Sequence, residues 1–311
     1  MKLSLKDSSI LIVCVLLCNA CIPKCPSATT TITIDSTLQS VVQHHVSEAT
    51  LRIQAEWGMG VLWNMQNASV CAMYCTDTMV NYAYEPLEMG TIMQPFTILA
   101  ALSSDNISYN AVDTALAIQD IIASSNTNAT HTLASQAYAN NPIKVIEFLQ
   151  NIGGNIEVDT TAIKSINDIS TIYYGYHYRI TPIHLMSLYA NLAKNQLQCD
   201  TLAQQLICQG LHDVVWNNEL GTASVNPWGG RKAQSDIVSI AGKTGTTNDT
   251  IDLTFYGYTP YYTGGIWMGY DTQKEIKAAG NAHLKIWRSV MADIHNHEGL
   301  SNKEFEKPDG L

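Results

Sequence analysis

The chain has 311 residues, 46% of them hydrophobic and 14% charged, with a formal net charge of −10 at pH 7. That length supplies one large domain or two ordinary ones, with ample core. An acidic surface with few charges argues against nucleic acid as a partner and gives no reason for electrostatic docking on anionic lipid.

At the N-terminus, Lys2 and Lys6 precede an apolar run from Ile10 to Leu17. The run is too short to span a bilayer comfortably, and the pattern reads as an export signal over residues 1–21. Leu17 and Ala20 before Cys21 resemble a loose bacterial lipoprotein box, in which Cys18 and Asn19 fit poorly. Lipid attachment at Cys21, plain cleavage and an uncleaved membrane anchor all stay open. Each places the rest of the chain on the outer side of the cytoplasmic membrane. Residues 22–34 read as a linker and 35–311 as one domain.

Thr29 to Ile34 is a Thr/Ile-rich, strand-like run, after which Asp35 or Ser36 can cap a helix continuing to about Trp57. Gly58 to Cys75 alternates apolar and small residues around Gln66-Asn67 and reads as a β-hairpin. Cys71 and Cys75 fall on one strand of it, about 13 Å apart in extended chain, too far for a disulfide. Cys199 and Cys208 could pair across a turn in an oxidising compartment; buried free thiols are the simpler reading. Neither the cysteines nor His44, His45, His177, His184 and His212 show metal-ligand spacing, and no cofactor is expected.

Glu88-Met89-Gly90-Thr91-Ile92-Met93-Gln94-Pro95-Phe96 leads into an apolar helix. Ile118 to Ala123 reads as the end of another, followed by Ser124-Ser125-Asn126. Ile143–Ile152 stops at Gly153-Gly154, a C-cap signal, and Pro182 suits the first turn of a helix. Ile237–Ile240 then leads into Gly242-Lys243-Thr244-Gly245. The two glycines carry no Cβ, so an extended backbone or ligand can lie close against this strand. Lys243 supplies a positive charge, and Thr244 and Thr246 supply hydroxyls, which together suit an extended peptide ending in a carboxylate. Leu253–Thr259 and Tyr262–Tyr270, separated by Pro260-Tyr261, read as an antiparallel hairpin, and Ala278–His297 as an amphipathic helix. Helix, hairpin, many helices, hairpin and helix is the order of an α+β layer architecture.

Several of these stretches together resemble the transpeptidase domain of penicillin-binding proteins, nearest to the bifunctional class A peptidoglycan synthases. The match runs through Lys243-Thr244-Gly245-Thr246-Thr247-Asn248-Asp249, Gly257-Tyr258-Thr259-Pro260 and Trp267-Met268-Gly269-Tyr270-Asp271. It extends in order to Asp35-Ser36-Thr37-Leu38-Gln39 and to Ile180-Thr181-Pro182, and covers roughly residues 30–308. It implies a β-lactamase/transpeptidase-like fold, with a five-stranded antiparallel sheet flanked by helices and an all-helical lobe across a cleft. It also implies peptidoglycan stem peptides ending in D-Ala-D-Ala, or β-lactams, as ligands in the cell envelope. Only one helix precedes the first hairpin, too little for a glycosyltransferase domain, so that activity is not expected.

The family uses Ser-x-x-Lys, Ser-x-Asn and Lys-Thr-Gly as its catalytic motifs. Lys243, Thr244, Gly245 and Thr246 supply the third, and Ser124 with Asn126 matches the second. The first is degenerate. Aligned on Met89-Gly90 and Pro95-Phe96, Thr91 takes the serine position and Gln94 the lysine position; aligned on Tyr84-Glu85-Pro86, Glu88 and Thr91 fall there instead. No Ser-x-x-Lys occurs anywhere, and Thr161-Ala162-Ile163-Lys164 has the spacing without the surroundings. A serine hydroxyl must pass its proton to a neutral amine as it attacks. Gln94 cannot be that base, and Thr91 adds a β-methyl and a stiff χ1. The expectation is a degenerate, non-acylating domain that binds stem peptides or wall-synthesis proteins. Two alternatives are an active D,D-transpeptidase or carboxypeptidase using Thr91, and a structural envelope lipoprotein.

Overall fold

The structure, a computed structural model, describes residues 30–108, 112–139, 141–158, 170–225, 231–246, 252–270 and 281–305. The expected export signal with Cys21, and Thr161–Lys164, Thr247–Asp249, Asp271 and Pro308, lie outside those residues. Among the described residues no helix is long and apolar enough to cross a membrane.

Helix α1 (Ser36–Ile53) begins where Asp35 Oδ1 accepts hydrogen bonds from the Thr37 and Leu38 N–H groups. The capping choice left open by the sequence thus falls on Asp35. Leu38, Val42, Val46, Ala49 and Ile53 recur at helical spacing and are all buried, which gives the helix one face for a sheet. It lies on the hairpin of β2 (Trp57–Asn64) and β3 (Ser69–Cys75), the antiparallel pair expected over Gly58–Cys75. Strands β6 (Ala241–Thr246), β7 (Leu253–Tyr258) and β8 (Tyr262–Gly269) form the second antiparallel group. Pairing of β2 with β8 joins the two groups into one sheet.

The sheet has six strands, one more than the resemblance implied, in the order β1-β3-β2-β8-β7-β6. The addition is β1 (Thr31–Ile32), which runs parallel to β3 and so breaks the all-antiparallel pattern. It falls within the expected linker. Its pairing with Ser69 and Val70 is a long-range contact that a Thr/Ile run does not specify by itself. A minor two-stranded ribbon pairs β4 (Glu157–Val158) with β5 (Tyr178–Arg179).

Every described residue of β7 and β8 is buried, as expected for strands covered on both faces. Helix α1 and the last helix, α8 (Ala282–Glu298), cover one face: a Cβ at Gly60 would meet Val42 and Val46, and one at Gly264 would meet Met291 and Trp287. Helix α6 (Pro182–Ala193) covers the other, where a Cβ at Gly265 would meet Met186. The helical lobe stands beside β6. It contains α2 (Gln94–Leu102), α3 (Val112–Ala123), α4 (Thr127–Tyr138), α5 (Ile143–Asn151) and α7 (Thr201–Trp216). All nine residues of α2 are buried, so this helix is the axis of the lobe. Cys71, Cys75, Cys199 and Cys208 are free thiols; Cys208 Sγ donates to Leu192 O rather than facing Cys199.

A 3₁₀ turn, Gly90–Met93, connects the lobe to β6. It comes close because Gly245 has no side chain: a Cβ there would stand 2.5 Å from Ile92 Cγ1 and 2.6 Å from Thr254 Cγ2. Gly245→Ala is expected to destabilise the fold by about 1–3 kcal/mol through overpacking. Ile92→Val should recover part of the loss in the double variant, as urea denaturation of the four proteins would test. Equal stability of Gly245→Ala and wild type would contradict the close approach.

Candidate active site

Lys243 is the centre of the site. Its β6 position is paired with Tyr256 on β7, and directly opposed residues share a sheet face, here the α6 side. The side chain is fully buried. Nζ donates to Ser125 Oγ at 2.7 Å and to Thr244 O at 2.9 Å. No carboxylate is an ion-pair partner of Lys243 among the described residues. Burial without a counter-charge disfavours the ammonium, and the pKa falls from 10.5 to about 7.

Gln94 lies at the first residue of α2, 1% exposed. Its Nε2 donates to Thr130 Oγ1 at 2.6 Å, and its Oε1 accepts from Ser125 Oγ at 3.2 Å. The direction of this chain follows from its far end. Thr130 donates its hydroxyl proton to the backbone carbonyl of Asn126 at 2.9 Å. Thr130 Oγ1 therefore acts as the acceptor towards Gln94, which requires the amide nitrogen there and the amide oxygen towards Ser125. A lysine at position 94 could donate to both hydroxyls but could not accept from Ser125 while protonated. Gln94 satisfies both, so the position is filled by a group that holds protons in place and transfers none.

Thr91 sits within the 3₁₀ turn, half-buried, and its hydroxyl donates to Thr244 O at a long 3.5 Å. Thr91 and Lys243 thus place a donor on the same carbonyl. Tyr189 fixes the turn from behind by donating to Ile92 O at 2.8 Å. Glu88 is turned the other way, accepting from the His177 N–H. Thr91 and Gln94, and not Glu88, are thus the residues whose side chains meet Thr244 and Ser125. Thr244 Oγ1 lies 2.9 Å from Thr222 Oγ1, and β6 ends the sheet.

The second motif requires a correction. Ser124 does not face Lys243; its hydroxyl donates to Asp120 O, one turn back in its own helix, at 2.6 Å. Ser125 makes the lysine contact instead. Helix α3 ends in a Schellman turn, with Ser125 N–H donating to Ile122 O and Asn126 N–H to Ile121 O. Ser125 occupies its left-handed position at φ +53°, and this reversal swings its side chain across the cleft. Asn126 is exposed and caps α4, with Oδ1 accepting from the Ala129 N–H at 3.0 Å. Counted from Ser125, the motif reads Ser125-Asn126-Thr127 and lacks the asparagine at its third place. Glycine usually marks such a helix end, and its absence left no sequence signal for the one-residue shift. Thr130, which orients Gln94, carries no motif and was not identified from sequence.

No family model matches the chain. Over 82 residues it is 38% identical to penicillin-binding protein 1A of Clostridium perfringens, covering 26% of this chain and 10% of that protein. Over 72 residues it is 38% identical to penicillin-binding protein 1A of Aquifex aeolicus, covering 22% of this chain and 10% of that protein. The matched segment therefore spans about a tenth of the length of these relatives. The apo transpeptidase domain of Burkholderia pseudomallei penicillin-binding protein 3 superposes with a TM-score of 0.70 at 15% identity, covering 90% of this chain and all of that one. Penicillin-binding protein 3 of Mycobacterium tuberculosis, solved in complex with aztreonam, gives a TM-score of 0.68 at 15% identity and covers 91% of this chain and 82% of that one. This chain has the fold of penicillin-binding-protein transpeptidase domains.

The lowered pKa of Lys243 makes a signed prediction. Between about 7 and 10.5 the unfolded chain binds this proton and the folded chain does not, so Lys243 makes stability rise with pH across that window. The gain is at most about 1.4 kcal/mol per pH unit. Urea unfolding of wild type against Lys243→Met at a series of pH values should show the difference moving in favour of wild type as pH rises. A difference that does not change with pH would mean an unperturbed amine.

Proposed function

We propose that this chain is a penicillin-binding-type transpeptidase module of the bacterial cell envelope. In this reading it binds peptidoglycan stem peptides ending in D-Ala-D-Ala, or proteins of the wall-synthesis machinery, and does not acylate through Thr91. The observation that carries the reading is the Gln94 amide, held between Thr130 and Ser125, in the place where a base would have to be. Removing a general base typically lowers a rate by about 10²–10⁴-fold, and the β-methyl of Thr91 hinders the remaining hydroxyl further.

Binding does not need the missing base. Strand β6 ends the sheet, so an extended peptide can add along its outer edge. Lys243, Thr244, Gly245 and Thr246 are the residues of that strand to which the resemblance assigns the ligand. By resemblance, the backbone N–H groups of Thr91 and Thr246 would polarise a ligand carbonyl, a role independent of side-chain identity. Such donors lower the energy of an oxyanion but generate no nucleophile.

Intact-mass spectrometry with peptide mapping, on the wild-type chain with a β-lactam at neutral pH, is expected to show no adduct on Thr91. Thr91→Ser combined with Gln94→Lys should gain labelling beyond either single change, because nucleophile and base act as a unit. A stable adduct on wild-type Thr91 would replace this reading with the threonine-nucleophile enzyme. Export rests on the pattern of residues 1–21. N-terminal sequencing of the protein from membranes should find a chain starting at or near Cys21; full-length protein beginning at Met1 in the cytoplasm would contradict it.

A further inference from the structure

Ser125 is the side chain in the cleft that non-covalent peptide binding leaves unused. It holds the left-handed position of a helix terminus, at φ +53°, where glycine caps with less strain. What serine adds there is its hydroxyl. That hydroxyl is half-buried at the cleft, 2.7 Å from the Lys243 amine and 3.2 Å from Gln94 Oε1.

We propose that Ser125, with Lys243 as its base, is a nucleophilic site for small sulfonyl fluorides and activated esters, distinct from Thr91. When Lys243 is an ammonium, it donates to Ser125, and Ser125 donates to Gln94. When the amine loses a proton, two N–H bonds and a lone pair remain. One N–H stays on Thr244 O, and the lone pair can take the Ser125 proton across the shorter of the two contacts. Gln94 then gives up the longer one. With a sulfonyl fluoride, a lone pair of Oγ forms the Oγ–S bond, the S–F bond breaks, and fluoride leaves with its electrons. The hydroxyl proton ends on Nζ. With an activated ester, Oγ bonds to the carbonyl carbon, the C–O bond to the leaving alcohol breaks, and the Lys243 ammonium returns the proton to that alcohol. Water then hydrolyses the acyl-serine. Among the described residues the Thr91 hydroxyl makes the long contact to Thr244 O and none to the amine.

Among the titratable groups on the surrounding elements, Lys243 is the one in hydrogen-bond contact with Ser125. Tyr256, opposite it on β7, is held protonated by burial, as is Tyr189 on α6. Asp120 on α3 is exposed. His131 on α4 packs on Tyr173 and Tyr174, and His212 pairs with Asp213 on α7. Lys232 donates to Thr222 O, behind Thr244. The 3₁₀ turn and α2 carry no titratable side chain.

The test is phenylmethylsulfonyl fluoride on the full chain, with the adduct mapped by peptide mass spectrometry. We expect a single adduct on Ser125, forming about tenfold faster near pH 8 than near pH 6 as Lys243 becomes neutral. Ser125→Gly should abolish it in a chain that still folds, because the fit of glycine to that backbone conformation offsets part of the loss of the hydrogen bonds to Lys243 and Gln94. Thr91→Val and Ser124→Ala should retain it. No labelling, labelling at Thr91 or Ser124, or a rate indifferent to pH would each overturn the proposal. The β-lactam experiment on Thr91 reads a different atom, so either idea can fail while the other stands.

Discussion

The site depends on a lysine amine buried with no ion-pair partner among the described residues. Lys243 is enclosed by β7, the 3₁₀ turn and the end of α3, and its hydrogen-bond partners are a hydroxyl and a backbone carbonyl. Neutral partners satisfy the donors of an ammonium but return little of its lost hydration. The group relieves the cost by giving up its proton more easily. An anionic ligand would oppose that tendency, since a carboxylate near Nζ favours the charged form. Ligand binding and proton uptake at Lys243 are therefore linked.

Two close approaches put that amine within reach of the helical lobe. Gly245 lets the 3₁₀ turn rest on β6, and Gly175 lets Gly90 rest on the segment before β5. A Cβ at Gly175 would stand 2.1 Å from Gly90 O, and Gly90 N–H donates to Gly175 O at 3.3 Å. Trp216 at the end of α7 holds the entry to β6 by donating Nε1–H to Ile240 O at 2.8 Å. The cleft is thus anchored from both sides by two glycine-permitted approaches and the Trp216 indole. None of these contacts uses the side chain of Thr91 or Gln94.

Gln94 is more than a residue that cannot act as a base. Its amide joins Ser125 to Thr130 and, through the carbonyl of Asn126, to the first turn of α4. A fully satisfied polar chain of this kind stiffens the region where it lies. Restoring an amine there leaves Ser125 without its acceptor and places a second cationic group near Lys243. The two lysines would then compete for one proton, which is the situation a relay needs and a binding site does not.

Sequence alone determined the elements whose periodicity is local. The two hairpins, the Asp35 or Ser36 helix start, the Pro182 helix and the Lys-Thr-Gly strand all follow from alternation, capping residues and glycine placement within short windows. It also determined that position 94 offers no amine, since no fold can turn Gln94 into one. Tertiary structure decided the matters that depend on a reversal of the chain or on a distant partner. The left-handed turn at Ser125 exchanged the roles of two adjacent serines, because one residue at positive φ redirects everything after a helix end and no glycine announced it. The parallel pairing of β1 was decided by Ser69 and Val70, far along the chain. The orientation of the Gln94 amide was decided by Thr130, whose own proton was already committed to a backbone carbonyl.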